Sequence, residues 1–303
     1  MPGAPRPRPA RPACQNQRLM ASSHPCALLH SAFYRFVALA DPAAAAATLR
    51  GLAQGLQGSI VVASEGLNGT VAGPAAAVAA FEAALQAASP LGGALQGMAF
   101  KHSACTTAPF GRLKVTVKPE IVALGLPAPA AGALPPPDEH DASHLNPAAW
   151  QALLARDDVV LLDNRNHFEV RLGRFAGALD PQVHNFRDFT AWVLAQAPAW
   201  RAAGRPVAMY GTGGIRCDKT APWLRSLGLD VWPLAGGILG YLQATGEAAP
   251  LWQGECFVFD RRIALDACLQ ETATRAEQVF DAGLPDEAWR LQRARRLDGD
   301  ATP

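Results

Sequence analysis

Three short, unbroken apolar runs constrain this chain more than any other feature: DVVLLD (Asp158–Asp163), PVAMY (Pro206–Tyr210) and VWPLA (Val231–Ala235). A strand with one face in water alternates apolar and polar residues, so a continuous run marks a strand buried on both faces. Helical patterns separate the runs. LNPAAWQALL (Leu145–Leu154) opens with Asn146 as N-cap and Pro147 at the first helical position, and further helices are predicted over Arg187–Ala195 and Asp218–Leu227. Strands alternating with helices make this half an α/β domain with a parallel sheet.

The first half reads differently. AFYRFVAL (Ala32–Leu39) predicts a strand, Pro42 opens a helix through Leu52, and GSIVVAS (Gly58–Ser64) predicts a second strand. The EGLNG turn (Glu65–Gly69) reverses the chain into TVAG (Thr70–Gly73). An Ala-rich helix follows over Val78–Ala88, and Arg112–Val117 ends the series as a strand. The order β-α-β-β-α-β is that of an α+β, ferredoxin-like split βαβ unit. Residues 126–143 carry five prolines, two charge clusters and no hydrophobic period, which predicts a linker.

A chain of 303 residues has room for two such domains. The expected division is a disordered basic tail over 1–30, a ferredoxin-like domain over 31–125, the linker over 126–143, the α/β domain over 144–250 and a C-terminal extension over 251–303. In the tail, Pro at positions 2, 5, 7, 9 and 12 forbids an amphipathic presequence helix, and Met20 offers an alternative start.

Half the residues are hydrophobic, 17% are charged and the mean hydropathy is +0.05, values that fit a globular core and exclude global disorder. No stretch approaches 18 apolar residues without a charge or Pro, which argues against a membrane span. Residues 1–40 hold five Arg and no acid, leaving 22 basic against 26 acidic residues in the rest. A nucleic-acid partner would therefore be held by a local patch rather than by a global field. Six scattered cysteines with no CxxC, and seven scattered His, argue against a disulfide framework or a metal site. A reducing, cytoplasmic compartment is expected.

The segment that carries chemistry is Tyr210-Gly211-Thr212-Gly213-Gly214-Ile215-Arg216-Cys217, between a buried strand and a helix. Ligands of open α/β sheets bind beyond the carboxyl ends of the strands. A Gly-rich turn there exposes backbone N–H groups which, with the helix N-terminus, cradle an anion. The loop lacks the Gly-Lys-Ser/Thr of a P-loop and the GxGxxG spacing of a dinucleotide fold. A C-x5-R phosphatase loop would need Cys where Tyr210 stands.

VLLDNRNHFEVRLGRFAGAL resembles the opening of a rhodanese domain, AMYGTGGIRCDKT its active-site loop, and LAGGILGY the segment after the next strand. With FYRFVALADP, ASEGLNGTVAG, PFGRLKVTVKPEIVALG and FVFDRR, the match narrows to the rhodanese-like tRNA uridine hydroxylases, in order from about residue 31 to 262. The resemblance implies an acylphosphatase-like domain followed by a rhodanese-like one. The implied activity is conversion of the wobble uridine of tRNA to 5-hydroxyuridine with molecular oxygen as co-substrate. No redox metal or flavin motif is evident. The family loop reads CTGGIRC, whereas this chain has Gly211 at the first Cys, so sulfur transfer from that position is impossible. A Cys-rich segment that many members carry after FVFD is also missing, since Ala264–Pro303 holds only Cys268.

Cys217 is then the candidate reactive group: at a helix N-terminus beside Arg216, dipole and cation favour thiolate. Arg216, Gly213 and Gly214 are expected to bind an anion. Arg165, ending a buried strand with Asp163, is read as substrate contact or as a brace for the loop. Arg112, Lys114, Thr116 and Lys118 alternate along a strand and share one face. That stripe is either solvated or a phosphate-contacting surface for tRNA. Phe33, Tyr34 and Phe36 are expected in the core. Two rival readings stay open: a sulfurtransferase with Cys217 as persulfide carrier, and a catalytically silent tRNA- or protein-binding module.

Overall fold

A computed structural model describes residues 28–87, 93–126 and 141–299. Nearly all of the predicted tail and most of the predicted linker lie outside the described residues. The N-terminal domain opens with β1 (Leu28–Phe36), which starts inside the segment expected as tail. Then come α1 (Pro42–Leu52), β2 (Gln57–Ala63), β3 (Gly66–Gly73), α2 (Ala75–Ala87), β4 (Phe100–Cys105) and β5 (Leu113–Val117). Asp41 caps α1 by accepting from the Ala43 and Ala44 N–H groups, and Pro42 sits in its first turn.

The sheet order β4-β1-β3-β2-β5 corrects one expectation. Beside β1 lies β4, whose polar residues Lys101, His102 and Ser103 hid it in the sequence. The strand around Arg112–Val117 instead pairs parallel with β2 at the opposite edge. The EGLNG turn is also shorter than expected, because Gly66–Gly69 already belong to β3, antiparallel to β2. Gly66 has φ of +139°, and a Cβ there would lie 2.0 Å from the Arg35 carbonyl oxygen, so glycine is required. The helices cover one face of the sheet, packing Leu49, Val78, Phe81 and Leu85 on Phe33, Ile60, Val62 and Val71.

The second domain contains α3 (Pro147–Leu154), β6 (Val160–Asp163), α4 (His167–Leu172), β7 (Gly173–Phe175) and α5 (Phe189–Ala202). It continues with β8 (Val207–Tyr210), α6 (Ile215–Ser226), β9 (Val231–Pro233) and α7 (Gly237–Thr245). Strands β6, β8 and β9 form the parallel sheet that the apolar runs predict, and single parallel bridges add Leu179 beside Leu162 and Leu145 beside Leu234. Both faces are covered, as a continuous apolar run demands. Val160, Leu162, Val207 and Met209 pack on Phe189, Val193, Ala221 and Leu224, while Leu161, Ala208 and Tyr210 pack on Trp150, Ile238 and Tyr241.

The C-terminal segment stitches the domains together. It supplies β10 (Trp252–Gly254), β11 (Cys256–Phe257), β12 (Ala264–Leu265), α8 (Ala276–Val279) and α9 (Pro285–Gly299). Arg262 is clamped by Asp260 at 2.7 and 2.8 Å and donates to Ser103 Oγ of β4 at 2.9 Å, while Glu271 accepts from Thr106 and Thr107. Cys105, Cys217 and Cys256 are free and buried, whereas Cys268, contrary to expectation, is disulfide-bonded. No helix among the described residues is long and apolar enough to cross a membrane.

Candidate active site

The Gly211–Cys217 loop leaves the carboxyl end of β8 and turns into α6. Gly214 is the N-cap residue, with φ of +100° and no side chain over the helix end, so the first-turn N–H groups of α6 have no side-chain cap. A Cβ on Gly214 would lie 2.8 Å from Tyr34 Oη, whereas one on Gly213 would meet nothing within 4 Å. The positive φ, more than contact with the end of a side chain, calls for glycine at 214, and no contact calls for it at 213. From the other side, the α7 N-terminus holds the loop. Ile238 N–H donates to Gly211 O at 2.9 Å, Leu239 N–H donates to Thr212 O at 3.0 Å, and Gly237 leaves no room for a Cβ against these carbonyls.

The N-terminal domain closes over this loop. Tyr34, expected in the core with Phe33, points to the opposite face of β1 as strand alternation requires. Its hydroxyl donates to Asp218 Oδ2 at 2.7 Å, and Lys101 of β4 donates from Nζ to the Gly213 carbonyl. The second oxygen of Asp218 meets His144 Nε2 at 2.9 Å, and His144 Nδ1 lies 2.9 Å from the Asp141 carbonyl. Burial pulls the His144 imidazole down, but the hydrogen bond and charge of Asp218, with Asp141, outweigh it and raise its pKa. The contribution of the protonated ring is complete below the ordinary imidazole value and is lost as pH climbs through the raised one. Beside this chain of contacts, Lys219 Nζ bridges Glu65 at 2.7 Å, Glu120 at 2.5 Å and the Val122 carbonyl at 2.9 Å. Glu65, Glu120 and Lys219, from three segments far apart in sequence, thus form one inter-domain clamp.

Cys217 corrects the expectation of a thiolate. Helix α6 starts at Ile215, three residues earlier than predicted, and turns Cys217 toward the sheet in the cluster with Met209, Ala221 and Leu224. The residue is 0% exposed. Burial pushes its thiol well above the ordinary value, Asp218 adds to the rise, and neither the Asn164 amide at 3.9 Å nor Arg216 offsets it. Desolvation of the charged form outweighs the dipole and the neighbouring cation.

Arg216 is likewise engaged rather than free. Its Nη1 donates to Glu169 Oε1 at 2.8 Å, and Glu169, wholly buried on α4, also accepts from Asn166 N–H and from Thr212 Oγ1 at 3.4 Å. Glu169 was not legible as a site residue, although it lies within the DNRNHFEV match. Arg165 is fully buried, donating to Asp163 at 2.7 and 2.8 Å and to the Gly173 carbonyl at 2.6 Å. Tyr210 Oη donates to the same Asp163 at 2.6 Å. Arg165 thus braces the end of β6, with its Nη1 left without a partner. Arg112, Lys114 and Lys118 are exposed on or beside β5 and form no ion pair among the described residues, at the opposite sheet edge from Lys101. No three His, Cys, Asp or Glu side chains among the described residues converge as metal ligands.

Gly211 itself is not conformationally special. Its φ lies outside the left-handed region, and a Cβ would sit 3.8 Å from both Arg216 Cβ and Cys217 Sγ, ordinary contact distances. Gly211→Cys should therefore fold with an unfolding free energy within about 0.5 kcal/mol of the parent in urea titration. A deficit above about 2 kcal/mol would mean that the loop requires glycine there.

A split βαβ domain clamped onto a glycine loop at the end of a parallel sheet defines the class: an α+β domain joined to an α/β domain with a parallel sheet. Residues 29–121 match the family described as UPF0176 acylphosphatase like domain. The tRNA uridine(34) hydroxylase of Jannaschia sp. (strain CCS1) is 45% identical over 244 residues, covering 80% of this chain and 77% of that protein. The Deinococcus radiodurans protein of the same name is 44% identical with the same coverage, and that of Synechococcus elongatus is 45% identical over 78% of this chain and 85% of its own. The chain belongs to the tRNA uridine(34) hydroxylase family. A rhodanese-like domain from Anabaena aligns with 37% of this chain and 79% of its own at 20% identity, with a TM-score of 0.29, too low to bear on the fold.

Proposed function

We propose that this chain hydroxylates the wobble uridine of tRNA, replacing C5–H by C5–OH, and that it does so at the Gly211–Cys217 loop. The observation that carries this reading is family membership across both domains, together with the closure of one domain on the loop of the other through Tyr34, Lys101 and Lys219. The loop supplies uncapped first-turn N–H groups for an anionic or carbonyl oxygen, and Glu169 fixes Thr212 and Arg216 around it. Molecular oxygen as co-substrate follows from the family resemblance. Sulfur transfer is the weaker alternative, because Gly211 bears no sulfur and Cys217 is a buried, neutral thiol. In this reading Cys217 packs the loop against the sheet and does not react.

The test is nucleoside mass spectrometry of tRNA from a strain lacking its own wobble hydroxylation and carrying this chain. Restored 5-hydroxyuridine supports the reading, whereas unmodified wobble uridine with tRNA binding intact supports the silent binding module. The basic stripe gives a second expectation. Lys114→Ala with Lys118→Ala should weaken tRNA binding and reduce the slope of log affinity against log salt by roughly one unit for each phosphate no longer neutralised. An unchanged slope would show that the stripe is merely solvated.

A further inference from the structure

Phe259 is a large apolar side chain left 54% exposed beside the Gly211–Cys217 loop. Its ring is held edge-on by Phe257, at 4.9 Å between centroids and 87°, and by Phe168 at 6.5 Å and 82°. The Arg216 guanidinium lies 5.6 Å from the same ring and 5.2 Å from Phe186. A rigid aromatic with an open surface beside a ligand loop is the geometry on which single-stranded bases stack. The C-terminal helix brings a cation to the same cluster. The Arg290 guanidinium sits 5.0 Å from the Phe168 ring. It donates to neutral acceptors, His184 O at 3.2 Å and Asn185 Oδ1 at 2.9 Å, and no carboxylate pairs with it among the described residues. Its buried Nε has no partner. Glu169 pairs directly with Arg216, whereas Glu169 and Asp286 act on Arg290 only through space.

We propose that Phe259 is the stacking platform for a base of the tRNA anticodon loop, and that Arg290 holds a phosphate of the same segment. The C-terminal extension thereby takes part in substrate binding, a role that rests on tRNA being the substrate. Stacking is worth about 1–3 kcal/mol per base, so Phe259→Leu, which keeps apolar bulk but loses the π face, should raise the KM for tRNA roughly tenfold. Phe259→Tyr should restore it, and kcat at saturating tRNA should change far less than KM. Arg290→Gln should reduce the salt slope of tRNA binding by about one unit, and Arg290→Lys should recover it. Phe259→Trp gives a readout that needs no turnover: its added emission, taken against the parent, should be quenched by an anticodon stem-loop RNA. Equal KM in Phe259→Leu and parent, or unquenched emission on binding, would overturn the proposal while the parent still hydroxylates tRNA. A parent that neither binds nor hydroxylates tRNA would instead sink the functional reading beneath it.

Discussion

Iodoacetamide applied to the folded chain near neutral pH should leave Cys217 unmodified while an unstructured cysteine peptide reacts to completion. The attacking species is the thiolate, and burial raises the three free thiols among the described residues: Cys105 to about 11, Cys256 to about 12 and Cys217 further still. Even the rise at Cys105, the smallest of the three, cuts the thiolate population by about 100-fold, and zero exposure at Cys217 adds a steric barrier. Alkylation at Cys217 should therefore be at least ~100-fold slower than in the peptide, and should become fast only in denaturant. Peptide mapping by mass spectrometry reads this directly. Preferential labelling of Cys217 in the folded chain would show that the loop opens and that its thiol is poised for chemistry.

The second large effect lies under the loop. Asp163 and Arg165 are both 0% exposed, and their pairing fixes the end of β6 beside Tyr210, the last residue before the loop. Burial opposes the charge on Arg165, but the Asp163 carboxylate more than offsets it and keeps the guanidinium protonated. Asp163→Ala would strand that charge in the interior, at a cost of about 3–5 kcal/mol. A loss of that size in the unfolding free energy from urea titration is expected. Replacing both residues with apolar side chains of similar volume should cost much less, because no charge is left unpaired. A cost of Asp163→Ala below about 1 kcal/mol would mean that water or rearrangement reaches the pair.

The parallel sheet was legible because double-sided burial writes itself as continuous apolar residues, and the loop was legible because glycines between strand and helix have few other uses. Burial of Cys217 had a signal too, one that competes with the helix dipole and prevails. Cys217, Ala221 and Leu224 recur at helical spacing and form one apolar stripe. Strand β4 was hidden, since Lys101, His102 and Ser103 carry no strand-like alternation of apolar residues. The contacts among Tyr34, Lys101, His144 and Asp218 had no local signature at all. They join residues as far as 184 positions apart, and a satisfied inter-domain polar pair looks, in sequence, like any surface residue. Arg165 shows the same limit from the other direction, for the D-x-R pattern fits a brace and a ligand contact equally well, and only its bonds to Asp163 and Gly173 show the brace.

Hydroxylation by a loop whose remaining cysteine is a packing residue is tested most directly by Cys217→Ala in the complemented strain. The variant removes one buried sulfur at a modest cost in packing, so its fold should be verified by melting before tRNA nucleosides are measured. Wobble 5-hydroxyuridine at the level given by the unaltered chain is the expected result. Absence of 5-hydroxyuridine in a folded, tRNA-binding Cys217→Ala protein would contradict it, and would return that sulfur to the chemistry.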